Sequence, residues 1–416
     1  MDSPVYRDSV ASITVDCCVA GGGPAGMMLG FLLARAGVRV AVLEKHADFL
    51  RDFRGDTIHP STLRIMEELG LLDALLALPH QKAEQLRGQV GDFSVTIADF
   101  RSLSPRWGFV ALMPQWDFLD FLAAQGRRFP NFDLRMQTEV TGLIEENGQV
   151  RGVHTATPDG PLAIRAALTV GCDGRHSTVR EKAGLTVRDL GAPMDVLWFA
   201  MPRHPDDTSE TIGRFDTGRI FIMLNRGTHW QCGFVIPKGS FADVQARGLP
   251  AFRATLLTLA PFLANRTDDI AAWANVKLLT VSVDRLREWA RPGLLCIGDA
   301  AHTMSPVGGV GINLAVQDAV ATANILADKL RAGTATLDDL KQVQMRRAFP
   351  ANVIQAGQIF IQKRVIKRVL AGTKPMSPPL VMRMLGRFPL LRRLPARIIG
   401  IGVRPEHVRT AELARP

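Results

Sequence analysis

The sequence predicts an α/β fold: a parallel, helix-wrapped sheet, interrupted by an inserted mixed β-sheet and followed by a helical C-terminal tail. Three observations predict it. An apolar strand runs into a glycine turn, an apolar helix and a second strand between Asp16 and Glu44. Between Ala192 and Val283 the chain turns to short runs rich in β-branched and aromatic residues. Beyond these, residues 294–297 return to a buried-strand pattern that leads into a glycine-rich loop and a long apolar helix over 312–330.

The first element reads Asp16–Cys17–Cys18–Val19–Ala20–Gly21–Gly22–Gly23–Pro24–Ala25–Gly26. Gly21 permits the tight turn, Gly23 lets the backbone approach a pyrophosphate, and Gly26 lets helix and strand pack closely. Pro24 and Ala25 open a helix expected over 25–36, whose free N–H groups and positive dipole end suit phosphate. The alternation over 38–44 supplies the next strand and ends on Glu44, followed by Lys45. An acid at that place suits an unphosphorylated ribose, so the pattern is Rossmann-like and favours FAD or NAD over NADP.

The later elements follow from turn chemistry and periodicity. A helix is expected over 61–69, and a hairpin turns at Gly91–Asp92. A helix over 116–128 precedes a strand pair that turns at Asn147–Gly148. A strand over 162–170 enters Gly171–Cys172–Asp173–Gly174. In the strand-rich middle, runs at 194–201, 211–215, 219–224, 230–236 and 276–283 are separated by turns such as Thr217–Gly218, with a helix over 241–263 between the last two. The organisation expected is a discontinuous dinucleotide-binding unit (10–80, 105–185 and 290–335), a substrate-binding β-sheet unit (81–104 and 186–289) and a basic helical C-terminal region (336–416).

Bulk properties narrow the class. A chain of 416 residues has ample length for a large apolar core. Its five cysteines lack metal spacing, and no metal site is expected. The uncharged run over 17–34 reads as the buried strand and first helix of the nucleotide fold, not as a membrane span. With no apolar run at the N-terminus, a cytoplasmic setting is expected. The net charge of +10 is concentrated after Arg346, where basic residues alternate with Val365, Ile366, Leu385 and Leu391. The tail therefore reads as amphipathic helices packed on the body with a solvated basic face, or alternatively as a peripheral contact with the inner face of an anionic membrane. No recognition motif accompanies the charge, so nucleic acid is not an expected partner. Oligomeric state is left open.

Two further segments carry chemistry: Gly171–Cys172–Asp173–Gly174–Arg175–His176–Ser177–Thr178–Val179–Arg180, and Gly298–Asp299–Ala300–Ala301–His302 running on through Pro306–Val307–Gly308–Gly309–Val310–Gly311–Ile312–Asn313. With the first fingerprint they resemble, in order and spacing, the three flavin motifs of the single-component (class A) FAD-dependent aromatic hydroxylases. That family includes p-hydroxybenzoate hydroxylase and the ubiquinone-pathway hydroxylases. The resemblance covers about 16–330. It implies a monooxygenase in which NADPH or NADH, bound transiently, reduces FAD, and O2 then yields a flavin hydroperoxide that hydroxylates a small hydrophobic aromatic, quinone-like or polyketide-like substrate.

Residue by residue, the resemblance implies that Gly298 and Asp299 meet the ribityl chain and that the Pro306 carbonyl faces substrate. Gly309, Gly311, Ile312 and Asn313 would flank the ring, with the helix dipole favouring the anionic reduced flavin. Asp173 and Gly174 would lie near the pyrophosphate, with Arg175 and Arg180 suited to phosphate. The plainer reading of Asp173–Gly174 is a strand-to-helix turn with an Asp cap. Arg54, with Gly55, matches the family's arginine beside the flavin, and Gln115 a glutamine that contacts the cofactor; alone, each reads as a surface residue. Thr57 and His59 are candidates for the ring pocket, with His59 as a catalytic acid set against a packing role.

The pocket wall expected from the inserted sheet is Trp198, Phe199, Phe215, Phe221, Met223, Trp230 and Phe234, any one of which alone reads more readily as plain core. One departure from the family matters. Its phenol hydroxylases deprotonate substrate through tyrosines, and this chain has one tyrosine, Tyr6, ahead of the fold. Rival readings are a same-fold reductase or halogenase of a hydrophobic substrate, the latter weakened by the absence of Trp-x-Trp-x-x-Ile, and a non-catalytic escort protein.

Overall fold

The apolar strand Ala11–Ala20 has no polar side chain to spare for water over its last four residues, which are fully buried. Its backbone groups are satisfied on both sides by parallel neighbours. Gly160–Gly171 pairs on one side and Val40–Leu43 on the other. In a computed structural model that describes residues 11–50, 57–208, 211–372 and 377–413, these strands anchor an eight-stranded sheet. Its parallel core is completed by Leu294–Cys296 beside Gly160–Gly171 and Phe132–Arg135 beside Val40–Leu43. The hairpin Glu139–Glu146 and Gln149–Thr157, turning at Asn147 (φ 52°) and Gly148 (φ 74°), adds antiparallel strands. Helices Pro24–Arg35, Gln115–Gly126 and Gly311–Arg331 bury their apolar faces against this layer.

The inserted sheet has seven strands, in the order Lys277–Leu279, Met194–Pro202, His229–Pro237, Arg219–Asn225, Ile212–Asp216, Gln85–Val90 and Phe93–Asp99. The hairpin at Gly91–Asp92 joins it through parallel pairing of Gln85–Val90 with Ile212–Asp216. Because side chains alternate across a strand, the two faces of this sheet have different fates. One carries Phe199, Phe221, Met223, Trp230 and Phe234, sealed beneath helix Leu249–Leu259 through Phe252 and Leu256. The other carries Val196, Trp198, Phe215, Ile222 and Val235, and packs with Val307 of the glycine-rich loop and with Ile366 and Val369 of the tail.

Two expected elements differ. The single helix over 241–263 is two, Phe241–Ala246 and Leu249–Leu259, because Gly248 sits at φ +85° and Pro250 follows. The strand over 276–283 is confined to Lys277–Leu279, and Asp284–Leu286 pairs instead in a separate three-stranded sheet with Val187–Asp189 and His302–Thr303.

The tail is helical only in part. A long helix, Leu337–Ile361, passes through a π-turn at Gln362–Ile366, and short helices Leu380–Arg387 and Arg393–Gly400 follow. The final stretch is an irregular strap. Arg35 donates to the Thr410 carbonyl at 2.7 Å and pairs with Glu412, while Val408 N–H donates to Glu68 at 2.9 Å. All five cysteines are free and buried, and burial pushes the Cys18 thiol up to about 12. The stretch Val307–Arg331 is long and apolar enough to cross a bilayer, but 72 % of its most apolar window is buried inside the fold.

Candidate active site

All the motif segments leave the carboxyl ends of neighbouring parallel strands. Ala20 is in register with Leu43 and Gly171, and Gly171 with Cys296. The loops that follow therefore converge on one edge of the sheet, where α/β folds bind nucleotides. The approach is close. Cys172 N–H donates to the Ala20 carbonyl at 2.7 Å and Ile297 N–H to the Gly171 carbonyl at 3.0 Å. At Gly21 (φ +105°) a Cβ would stand 2.5 Å from the Cys172 carbonyl oxygen, and at Gly26 it would stand 1.9 Å from the Gly21 oxygen. A Cβ at Gly23, by contrast, would meet nothing within 4 Å, and no side chain caps the helix that Pro24 and Ala25 begin. Two glycines thus close the turn, and the third leaves a cradle beside unpartnered helix N–H groups. Glu44 is held at that cradle by N–H donors from Gly22 and His46, each at 3.1 Å, while Lys45 is exposed beside it.

The second motif is a structural turn. Asp173 accepts from the Ser177 hydroxyl and from Val179 N–H, and Gly174 takes φ +83°. Burial pushes the Asp173 carboxyl above its usual range, ahead of these bonds that pull it down. Arg180, expected as a phosphate group, is instead a latch. Its guanidinium donates to the Ala300 carbonyl at 3.2 Å and the Arg175 carbonyl at 2.6 Å, tying the second motif to the third. Arg175 is partly exposed and reaches the Thr280 carbonyl at 3.3 Å.

In the third motif Gly298 (φ +60°) packs against Ala25 and Ala315, bringing the start of the first helix and of Gly311–Arg331 together. Asp299 follows, partly exposed. After Pro306, Gly308 and Gly309 take φ +82° and +62°, successive left-handed residues that favour glycine. Asn313 is the hub of this loop. Its amide donates to the Thr57 and Gly309 carbonyls, and its oxygen accepts from His59 N–H at 2.8 Å and the Thr62 hydroxyl at 2.7 Å. With both ends of its side chain bonded to protein, Asn313 shapes the loop rather than reaching a ligand through that amide. Thr57 adds a hydroxyl bond to the Gly309 carbonyl at 2.9 Å.

His59 is 2 % exposed, and its Nδ1 lies 2.9 Å from the Ile399 carbonyl, which makes Nδ1–H the donor and leaves Nε2 facing Gly309. Burial lowers its pKa to about 4, the carbonyl contact opposing. Buried, and bonded through Nδ1 to the tail, the ring is placed for the packing role set against the acid. Gln115 opens its helix after Pro114, partly exposed. Arg54, Gly55 and Tyr6 lie outside the described residues.

Of the expected wall, Trp198 and Phe215 occupy the face that packs with Val307; Phe199, Phe221, Met223, Trp230 and Phe234 do not, since their place in the alternation turns them under helix Leu249–Leu259. The indole of Trp198 lies across Gly233, where a Cβ would come within 3.1 Å of the ring, and its Nε1–H is buried without a partner.

Two sets of residues escape sequence reading. Gln355, Gln358 and Gln362, all buried, grip the approach to Pro306: Gln358 donates to the Ser305 and Val307 carbonyls, Gln355 to Thr303, and Gln362 to the Ser305 hydroxyl. Their helical spacing on one face is the only signal, and it reads as a solvated stripe. The other set is a buried ionic chain beneath the motif. Asp318 accepts from Gly298 N–H, from His302 at 2.6 Å and from Arg347 at 2.8 Å, and Arg347 reaches Glu406 at 3.2 Å. Although burial opposes it, His302 and Arg347 hold the Asp318 carboxyl below its usual range.

The residues present fit FAD: a cradle without a Cβ, an acid at the ribose end and a left-handed glycine loop at the ring end lie along one sheet edge. Comparison with known proteins agrees. Residues 14–356 match the family described as FAD binding domain. The chain is 32 % identical over 383 residues to 6-methylpretetramide 4-monooxygenase of Streptomyces rimosus, spanning 91 % of each. It is 25 % identical over 390 residues to 3-demethoxyubiquinol 3-hydroxylase of Escherichia coli, spanning 89 % of this chain and 93 % of that one. Among solved structures, p-nitrophenol 4-monooxygenase PnpA from Pseudomonas putida shares the fold at TM-score 0.75 and 20 % identity, over 93 % of this chain and 97 % of that one. The chain belongs to the FAD-binding class A flavoprotein monooxygenases. It is an FAD-dependent oxidoreductase that consumes NAD(P)H and O2.

Proposed function

We propose that this monooxygenase hydroxylates a planar, polycyclic aromatic substrate of polyketide type. The observation that carries the reading is the wall opposite the Pro306–Gly311 loop. Trp198, Phe215 and Ile222 form an apolar surface beside Val307, and on it the buried Trp198 indole N–H lacks an acceptor. A flat ring system with a carbonyl or hydroxyl oxygen on its edge supplies both the apolar area and the missing acceptor. The similarity to 6-methylpretetramide 4-monooxygenase along nearly the whole chain supports the same substrate class. A substrate whose fused hydroxylated rings are already electron-rich has no need of a tyrosine relay.

When bound, FAD supplies the electron transfer and oxygen chemistry. The protein's own groups bind, orient and exclude water. Gly21, Gly23, Pro24, Ala25 and Gly26 would receive the pyrophosphate, Glu44 the adenosine ribose and Asp299 the ribityl hydroxyls. Arg54 and Gln115 remain candidates on the family's pattern. The Pro306 carbonyl, immobilised through Ser305 and Val307 by Gln358, would set the distance between ring and substrate. The helix beginning at Gly311, with no acid in its first turn and no side-chain cap, directs its positive end at the same place. The enzyme would work in the cytoplasm, with its basic C-terminal helices meeting an anionic membrane surface.

The test is NAD(P)H oxidation by the holoenzyme against polycyclic aromatic polyketides, single-ring phenols and quinones, with peroxide measured in parallel. Faster oxidation with little peroxide for the polycyclic compounds is expected. Tight coupling for a single-ring phenol and none for a polycycle would overturn the substrate class.

A further inference from the structure

The whole of the chain's excess charge lies in one stretch. Residues 340–405 hold fourteen basic and no acidic side chains, leaving 36 basic against 40 acidic residues elsewhere. The same stretch carries most of the large apolar side chains that remain exposed: eight of the eighteen found among the described residues lie between Leu380 and Ile398, led by Leu380, Val381, Leu390 and Leu394. Such side chains belong in a core or against a surface that covers them.

Beside them lies a groove of about 670 Å³ between helix Leu380–Arg387 and the hairpin Gln85–Val90 and Phe93–Asp99. Arg87, Arg383, Arg387 and Arg392 line it over a floor of Phe93 and Val95, with no carboxylate among its described lining residues. The helix packs on the hairpin at Gly386, where even a Cβ would be in ordinary contact with Phe93 and Val95 at 3.5 and 3.7 Å. Arg392 closes the helix end by donating to the Leu385 and Gly386 carbonyls, which fixes its guanidinium at the groove. Arg383 and Arg387 are exposed on successive turns.

We propose that this groove is a docking site for the phosphate of an anionic phospholipid, with the apolar side chains of Leu380–Arg387 and Arg393–Gly400 inserting beside it among the acyl chains. The proposal rests on the membrane-facing reading of the tail and gives it a specific site. Guanidinium groups suit phosphate oxygens, and arginines flanking apolar helix faces match the boundary between headgroup and acyl chain.

The experiment is flotation of the FAD-loaded enzyme with phosphatidylglycerol or phosphatidylcholine vesicles at fixed ionic strength. Selective binding to phosphatidylglycerol is expected. Arg383→Gln/Arg387→Gln should weaken it about 30-fold, and Leu390→Ser/Leu394→Ser should weaken it as well. The equal charge loss in Lys363→Gln/Arg364→Gln should cost only a few-fold. Flavin content and melting temperature report on folding of each variant. Equal losses for the two charge variants would overturn the groove and leave diffuse attraction to the membrane. Failure of the unmodified protein to float would overturn the membrane reading along with the groove, and leave the monooxygenase reading untouched. Saturable binding of glycerol phosphate without flotation would assign the groove to a soluble phosphate and overturn the docking site.

Discussion

Acidification should loosen the ring end of the site through a single side chain. His59 is buried between the Ile399 carbonyl of the tail and Gly309 of the glycine-rich loop, and its pKa falls from 6.5 to about 4. Between those values the unfolded chain binds a proton that the folded chain refuses, so stability falls as pH drops through 6.5 and the loss levels off below about 4. From pH 7 to pH 5 the linkage amounts to about 2 kcal/mol. For 416 residues, at about 2.1 cal/mol/K of unfolding entropy each, that is a drop in Tm of about 2 °C. His59→Asn keeps an N–H near the position of Nδ1 and removes the titration. The assay is the Tm of both proteins at pH 7, 6 and 5 by tryptophan fluorescence. The wild type should lose about 2 °C more than the variant across that range. Parallel pH profiles would refute the reasoning, because they would mean that His59 takes up its proton as readily in the folded state as in solution.

Gly26→Ala forces a Cβ onto a backbone oxygen that no rotamer change can move, so it should cost at least about 1–3 kcal/mol of stability and strongly weaken FAD binding. Gly23→Ala fits the ligand-free fold and should weaken FAD binding, followed by quenching of flavin fluorescence, without lowering the Tm of the apoprotein. Arg347→Met leaves the buried Asp318 and Glu406 without their shared cation and should destabilise by about 3–5 kcal/mol in urea unfolding. Because Asp318 is held below its usual pKa, its contribution is present above the unfolded value and is lost on acidification, and the variant should show that loss at a higher pH. Trp198→Ala should raise KM for substrate with little change in urea midpoint, whereas Trp230→Ala, deep under the helix Leu249–Leu259, should cost about 3–5 kcal/mol and leave KM unchanged.

Much of the molecule is legible from local chemistry, because glycine and strand patterns act over short range. A strand followed by Gly21, Gly23 and Gly26 has one economical structure, and the same holds for the turns at Gly91–Asp92 and Asn147–Gly148, where the backbone conformation itself selects the residue. By contrast, of the seven aromatic and Met residues named for the pocket wall, five, Phe199, Phe221, Met223, Trp230 and Phe234, are the plain core that each alone more readily suggests. Aromatic character marks Phe221 and Trp230 as buried, but which face of a sheet meets the flavin loop depends on which helix covers the other face. Arg180 failed for a related reason: a cation after a glycine turn looks available for phosphate until the Ala300 carbonyl, 120 residues away, arrives beside it.

By itself, then, the order of residues determined the glycine turns and the nucleotide-binding sheet, whose backbone demands are local, and its motifs carried the resemblance that implies a family and its oxygen chemistry. Only the tertiary structure decided which groups hold the loop at Pro306, why His59 stays neutral, and where Arg347 finds Asp318 and Glu406. Those are matters of long-range burial, in which a polar group's partner is chosen by the packing of distant segments and not by its neighbours in the chain.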